Sequence, residues 1–178
     1  MQDKPETLLV EAAIRGDIDS FGELCRRNYA AMVAIGYSVV GDHQLAEDAV
    51  QESFARALTR LRSLKNRAKF APWLAAICRN VAKDMVATKA RQISNQHSSR
   101  AAASEDADET SQVVRQAIER LPARAKELLI LRYYNGLSYD EISSVLGISK
   151  ATINGRLTRA KRQIAGYLRR SGFMENEL

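Results

Sequence analysis

Residues 137–153 read LSYDEISSVLGISKATI, and their spacing decides the fold of the C-terminal third of the chain. Ser138 and Glu141 stand at the S-x-x-E spacing of a capping box, in which each side chain satisfies a backbone N–H at a helix start. Behind them Ile142, Val145 and Leu146 share one face, and Gly147 supplies the left-handed residue that ends a short helix. Ile148 fills the corner, and Ser149 is placed to cap the helix that follows. Two helices joined through such a turn form a helix-turn-helix.

The second helix shows what the turn is for. Advancing 100° per residue from Ile153, the residues Leu157, Ala160 and Ile164 fall on one stripe, which must be the buried face. Thr152, Asn154, Arg159 and Arg162 point away from it, with Arg156 on the flank. From Lys150 to Arg170 there are seven basic residues and no acid. A solvated helix face ordinarily mixes its signs, whereas a uniformly cationic one with small residues at its leading end suits a groove lined by phosphates. Asn154, Arg156 and Arg159 carry the side chains best able to pair with adenine and guanine edges. Ser149, Lys150 and Thr152 sit at the positive end of the helix dipole and Arg162 lies further along the same cationic face, all positions suited to phosphate. Arg169 and Arg170 either extend that grip or form a solubilising tail.

Composition agrees with helices throughout. With 46% hydrophobic and 27% charged residues the 178-residue chain can build a core, and its three prolines and 6% aromatics favour helix over strand. The net charge is +6, unevenly spread. Residues 1–94 hold 14 Lys/Arg against 11 Asp/Glu, residues 95–112 hold one against four, and residues 113–178 hold twelve against six. Two basic blocks therefore flank an acidic gap, which suggests an anionic partner. Around that gap, ISNQHSSRAAASEDADETS offers too little apolar area to offset its ordering entropy and reads as a flexible linker.

Before the linker, apolar residues recur at helical steps. Phe21, Leu24, Cys25, Met32, Ile35 and Val39 form one stripe, with Asp19 or Ser20 as cap and Gly41 as stop. Leu45, Ala49, Val50, Phe54, Leu58 and Leu61 form a second, followed by the basic turn KNRAKFAP. Pro72 suits the first turn of a third helix, where Leu74, Ile77, Val81 and Met85 share a face. The expected architecture is all-α: a helical domain over residues 1–91, a linker over 92–111 and a helix-turn-helix domain over 112–178. Cys25 and Cys78 lie within apolar patterns and read as buried thiols, and the two histidines and two cysteines have no metal-ligand spacing. No nucleophile setting or phosphate-cradling glycine loop is present, so neither catalysis nor a cofactor is expected. No run reaches the length of a membrane span and the start lacks a signal pattern, so a cytoplasmic protein with no membrane insertion is expected.

At this level of detail the chain resembles a known family. LPARAKELLILRYYNGLSYDEISSVLGISKATINGRLTRAKRQI is similar to region 4 of the extracytoplasmic-function (ECF) group of RNA polymerase sigma factors. AEDAVQESFARAL and FAPWLAAICRNVAKD resemble their region 2, and the likeness spans about residues 8–170. The resemblance implies a factor that binds core RNA polymerase and directs it to promoter DNA, with region 2 contacting and melting the minus-ten element and region 4 reading the minus-thirty-five element. It places Asp48, Gln51 and Glu52 on the polymerase clamp, and stepping from Phe54 puts all three off the apolar stripe. It nominates Asn66, Arg67, Lys69, Phe70, Trp73, Arg79, Asn80 and Lys83 as contacts to melting DNA, through base stacking and phosphate pairing. Phe70 and Trp73 are equally suited to closing the bundle, and Asn80 and Asp84 fall close to its buried face. The family's usual arginine cluster after RNxxxD is here MVATKARQ, which shifts phosphate contact toward Lys89 and Arg91, and Asn154-Gly155 replaces a common Lys-Ser. An anti-sigma factor is an expected partner. The competing expectation is a helix-turn-helix regulator whose N-terminal bundle dimerises or senses a signal.

Overall fold

The computed structural model describes residues 4–95 and 109–173. Those residues form helices and short turns, with no strand among them. In chain order the helices are α1 (Glu6–Ile14), α2 (Ile18–Val40), α3 (His43–Arg60), α4 (Phe70–Asn95), α5 (Glu109–Glu119), α6 (Ala123–Leu129), α7 (Tyr139–Leu146) and α8 (Lys150–Arg170).

Local chemistry sets the boundaries. Asp17 caps α2 by accepting from the backbone N–H groups of Asp19 and Ser20, so the helix starts earlier than an Asp19 or Ser20 cap would allow. Gly41 ends α2 at φ 70°. Between α3 and α4 the chain makes two 3-10 turns, Leu61–Ser63 and Arg67–Lys69. Pro72 falls in the first turn of α4, where its missing N–H has no intrahelical partner to lose. Pro122 precedes α6 in the same way, and α6 runs into a π turn at Ile130–Tyr134.

Described helices reach into both ends of the 92–111 stretch expected as a linker. No glycine or proline interrupts VATKARQISN, so α4 continues through Asn95, and α5 begins at Glu109. Residues 96–108 lie outside the described residues.

α2, α3 and α4 pack as a bundle with α1 across one end, and α5 to α8 form the second helical set. Their cores are continuous. Leu24, Met32, Ile35, Phe70 and Leu74 of the first set belong to one buried cluster with Leu128, Leu131, Ile142, Ile153 and Leu157 of the second. α4 packs on α7, and α2 on α6 and the π turn. Tyr37 stacks on Tyr134 with centroids 6.1 Å apart, and the Asn135 side-chain amide donates to the Ala30 carbonyl at 3.4 Å. At Gly147 an added Cβ would lie 3.3 Å from Pro72, so the left-handed turn of the helix-turn-helix is also the point where it meets the first helix set.

Candidate nucleic-acid interface

The helix-turn-helix is built as its spacing requires. Ser138 Oγ accepts from the Glu141 N–H at 3.2 Å while Glu141 Oε2 accepts from the Ser138 N–H at 2.7 Å, closing the capping box. These hydrogen bonds hold the Glu141 carboxyl below its ordinary range, the Ser138 backbone N–H contributing most. Gly147 takes φ 66°, and Ser149 caps α8 by accepting from the Thr152 N–H at 3.2 Å. Ahead of α7, Arg132 clamps the turn by donating to the Leu137 carbonyl at 2.8 Å and lying over the Tyr139 ring.

On α8, Ile153, Leu157 and Ala160 are buried and Ile164 is half-buried. Burying Ile153 and Leu157 stabilises the docking of this helix by about 1.5–3 kcal/mol each. With that stripe pinned, Ser149, Lys150, Asn154, Arg159 and Arg162 are exposed and Thr152 and Arg156 half-buried. Some already have partners within the chain. Ser149 and Thr152 share a hydroxyl hydrogen bond at 2.8 Å, Lys150 pairs with Asp140, and Arg159 Nε donates to the Gly155 carbonyl at 3.2 Å. Both partners of the Lys150 pair are well exposed, so it is a weak tie that phosphate can replace. Arg156 sits on the flank of α8, as its helical angle requires. It faces the junction between the helix sets, where it lines a depression of about 200 Å³ with Arg79, Arg124, Glu127, Leu146 and Ile148.

The residues expected on the other DNA surface follow the 3-10 turn and the first half of α4. Phe70 to Lys83 is 13 helical steps, so they spread over about 20 Å rather than converge. Asn66, Lys69, Asn80 and Lys83 are exposed and Arg67 is half-buried. The Asn66 side chain is committed locally as the cap of its 3-10 turn, accepting from the Ala68 N–H at 3.0 Å. Asn80 and Asp84 are not near the buried face, because α4 turns Cys78, Val81 and Ala82 inward instead. Phe70 is fully buried, its ring 6.0 Å from that of Trp73. It is a core residue here and cannot stack on a base without leaving the bundle. Trp73 is half-buried against the shared core. Arg79 is held by Glu127, with Nε to Oε1 at 2.6 Å.

On α3, Asp48, Gln51 and Glu52 are exposed and edge a shallow depression with Arg56 and Met85. Glu52 holds Arg56 at 2.6 Å, and Arg56 reaches Asp84 of α4 at 3.6 Å. This leaves a mixed polar face with Asp48 and Gln51 free of the apolar seam.

Glu127 and Arg124 escaped the sequence reading. A signal was available: Glu127 is the lone acid between Glu119 and Asp140, set in the apolar run ELLIL one helical turn before buried Leu131. A carboxylate on an inward face needs a cation from somewhere, but the sequence does not say which.

Family models match the chain in both halves: Sigma-70 region 2 over residues 24–92 and Sigma-70 region 4 over residues 111–164. The RNA polymerase sigma-H factor of Pseudomonas aeruginosa is 30% identical over 88% of this chain and 90% of its own length. The chain belongs to the sigma-70 family of RNA polymerase sigma factors. The ECF sigma factor SigW of Bacillus subtilis is 27% identical over 87% of this sigma factor and 92% of its own length. A probable RNA polymerase sigma factor of Xanthomonas campestris, RfaY, is 29% identical, but the chain spans only 42% of its length. Among solved structures, that of CnrH in complex with the cytosolic domain of CnrY shares the fold, with a TM-score of 0.59, 21% identity and coverage of 92% of this chain and 96% of that one. The region 2 match favours a sigma factor over a regulator with an unrelated sensor bundle. Its function is that of a transcription initiation factor, and no helix among the described residues is long and apolar enough to cross a membrane.

Proposed function

We propose that this sigma factor grips the polymerase with α3, through Asp48, Gln51 and Glu52, and reads duplex promoter DNA with α8. Asn154, Arg156 and Arg159 meet base edges in the major groove, while Ser149, Lys150, Thr152 and Arg162 hold phosphates. Arg79, Asn80 and Lys83 of α4, with Arg67 and Lys69 of the preceding turn, line the track for the melting strand, and Trp73 is the ring placed to stack on a base. The observation that carries this reading is the outer face of α8, cationic from Lys150 to Arg170 without an acid and held outward by a buried Ile153, Leu157, Ala160 stripe. The factor performs no chemistry itself and works in the cytoplasm, where the polymerase is. An anti-sigma factor is its proposed inhibitor, a reading that rests on membership of the sigma-factor family.

Run-off transcription with purified core polymerase and a promoter library tests this reading. The chain should confer discrete start sites that core polymerase alone lacks. Asp48→Ala, Gln51→Ala and Glu52→Ala together should abolish co-elution with core polymerase while leaving thermal stability nearly unchanged, since all three are exposed. Retained co-elution would remove α3 from the polymerase contact.

A further inference from the structure

We propose that Glu127 is an internal counter-anion that withholds Arg79 from promoter DNA, so that region 4 folded onto region 2 closes part of the strand-binding track in the free factor. The inference rests on the sigma-factor reading above, since it gives Arg79 a strand to hold. It begins with the carboxylate. Glu127 is 3% exposed, and its two oxygens are used by cations from different helix sets: Oε1 by Arg79 Nε at 2.6 Å, Oε2 by Arg124 Nη1 at 3.2 Å. Arg79 is itself only 14% exposed. A buried carboxylate and a half-buried guanidinium at that distance form a charge-assisted bond less screened than the exposed pairs such as Arg56–Glu52.

The cations outnumber the anion. Arg79, Arg124 and Arg156 surround the single carboxylate of Glu127 in one depression. A cluster with surplus positive charge is a place where phosphate can stand, and Glu127 occupies it in this arrangement. Arg79 and Arg156 belong to the two different DNA surfaces of the proposed function, and both line this one depression.

The surrounding contacts hold the halves in register. Gly147 abuts Pro72, Tyr37 stacks on Tyr134, and Asn135 bonds Ala30. Trp73 is half-buried against the apolar cluster that both sets share. Closure is partial, because Asn80, Lys83 and Lys69 stay exposed on region 2 and Asn154, Arg159 and Arg162 on region 4. The device therefore lowers the affinity of the free factor for a single strand and leaves the outer face of α8 accessible. Polymerase or DNA that binds only the parted halves shifts the population toward the open form.

The test uses the full chain and a fluorescent pool of random-sequence single-stranded DNA, read by anisotropy at low salt. Glu127→Gln keeps the shape and removes the charge; it should bind the pool about three- to tenfold more tightly than wild type, with unchanged helicity. On an Arg79→Ala background the same change should give no gain, because the residue it frees is gone. A second arm does not depend on Glu127 folding. Ala30→Cys with Asn135→Cys, bridged by a short bismaleimide, fixes the closed form, while Cys25 and Cys78 are thiols pushed up to about 11 by burial. The bridged chain should lose single-strand affinity about tenfold relative to the unbridged one. Equal affinity of bridged and unbridged chains, or of a well-folded Glu127→Gln variant and wild type, overturns the proposal. Run-off transcription by the wild-type chain judges the sigma-factor reading separately, since neither arm of the latch test requires polymerase.

Discussion

Gly155 lies inside α8, where helix propensity alone would place alanine. An added Cβ would meet only Arg159 Nη2, at 3.8 Å, which is ordinary contact. Gly155→Ala should therefore stabilise the protein by up to about 1 kcal/mol, seen as a higher urea midpoint; no gain would mean that the methyl group meets a cost in the folded chain that offsets the helix propensity. The capping box predicts the opposite sign. Ser138→Ala removes the acceptor of the Glu141 N–H and should cost about 1 kcal/mol. Because the folded Glu141 carboxyl is held below its ordinary range, its contribution is complete above the unfolded value and lost as pH falls through the folded one. The stability advantage of wild type over Glu141→Gln should accordingly shrink as pH falls through and below the ordinary carboxyl value of 4.5, measured as urea midpoints. A constant gap would show that the carboxylate does not titrate against the cap.

α8 divides its cations between two jobs that salt can separate. Replacing a phosphate-holding residue such as Lys150 or Arg162 with alanine should weaken binding to every duplex and reduce the slope of log affinity against log salt by about 1. Arg159→Ala should instead relax discrimination between promoter sequences, and an equal loss on all duplexes would reassign Arg159 to the backbone. The helix itself was legible in the sequence because a 3.6-residue period, a capping serine and a left-handed glycine are local signals, and Ser138, Gly147, Ser149 and the Ile153 stripe sit where those signals put them. α3 was read less well. Its inward face is made of Ala46, Ala49, Val50, Ser53 and Ala57, small residues that let helices approach closely, while Leu58 is 42% exposed. Hydrophobicity ranks leucine above serine, yet packing selected by size, and Ser53 meets its need by donating to the Ala49 carbonyl. The outward turn of Asp48, Gln51 and Glu52 survived that shift because the polar arc of the helix is broad. Phe70 and Arg79 were beyond local reading, since what buries the one and pairs the other comes from distant elements.

A core shared by two helix sets should make them unfold together. Leu128, Leu131 and Ile142 lie on the elements of region 4 that pack on α2 and α4, in one buried cluster with Leu24, Met32 and Ile35, so that packing is lost if region 4 leaves region 2. Three probes see different parts of that structure. Trp73, the sole tryptophan, reports the edge of the shared cluster; far-ultraviolet circular dichroism reports every helix; and Cys78, buried within α4 with its Sγ donating to the Met32 carbonyl at 3.4 Å, reports the interior of region 2. Burial pushes the Cys78 thiol up to about 11, so it should resist alkylation near neutral pH until region 2 opens. If the continuous core governs stability, all three signals should trace one urea transition with midpoints agreeing to about 0.2 M. A factor whose halves part readily would behave differently: Trp73 emission would shift first, helicity would fall in two steps, and Cys78 would stay protected until the second. That order of events would show that the seam is weaker than either half, and that the apolar cluster shared across it does not make the two sets one cooperative unit.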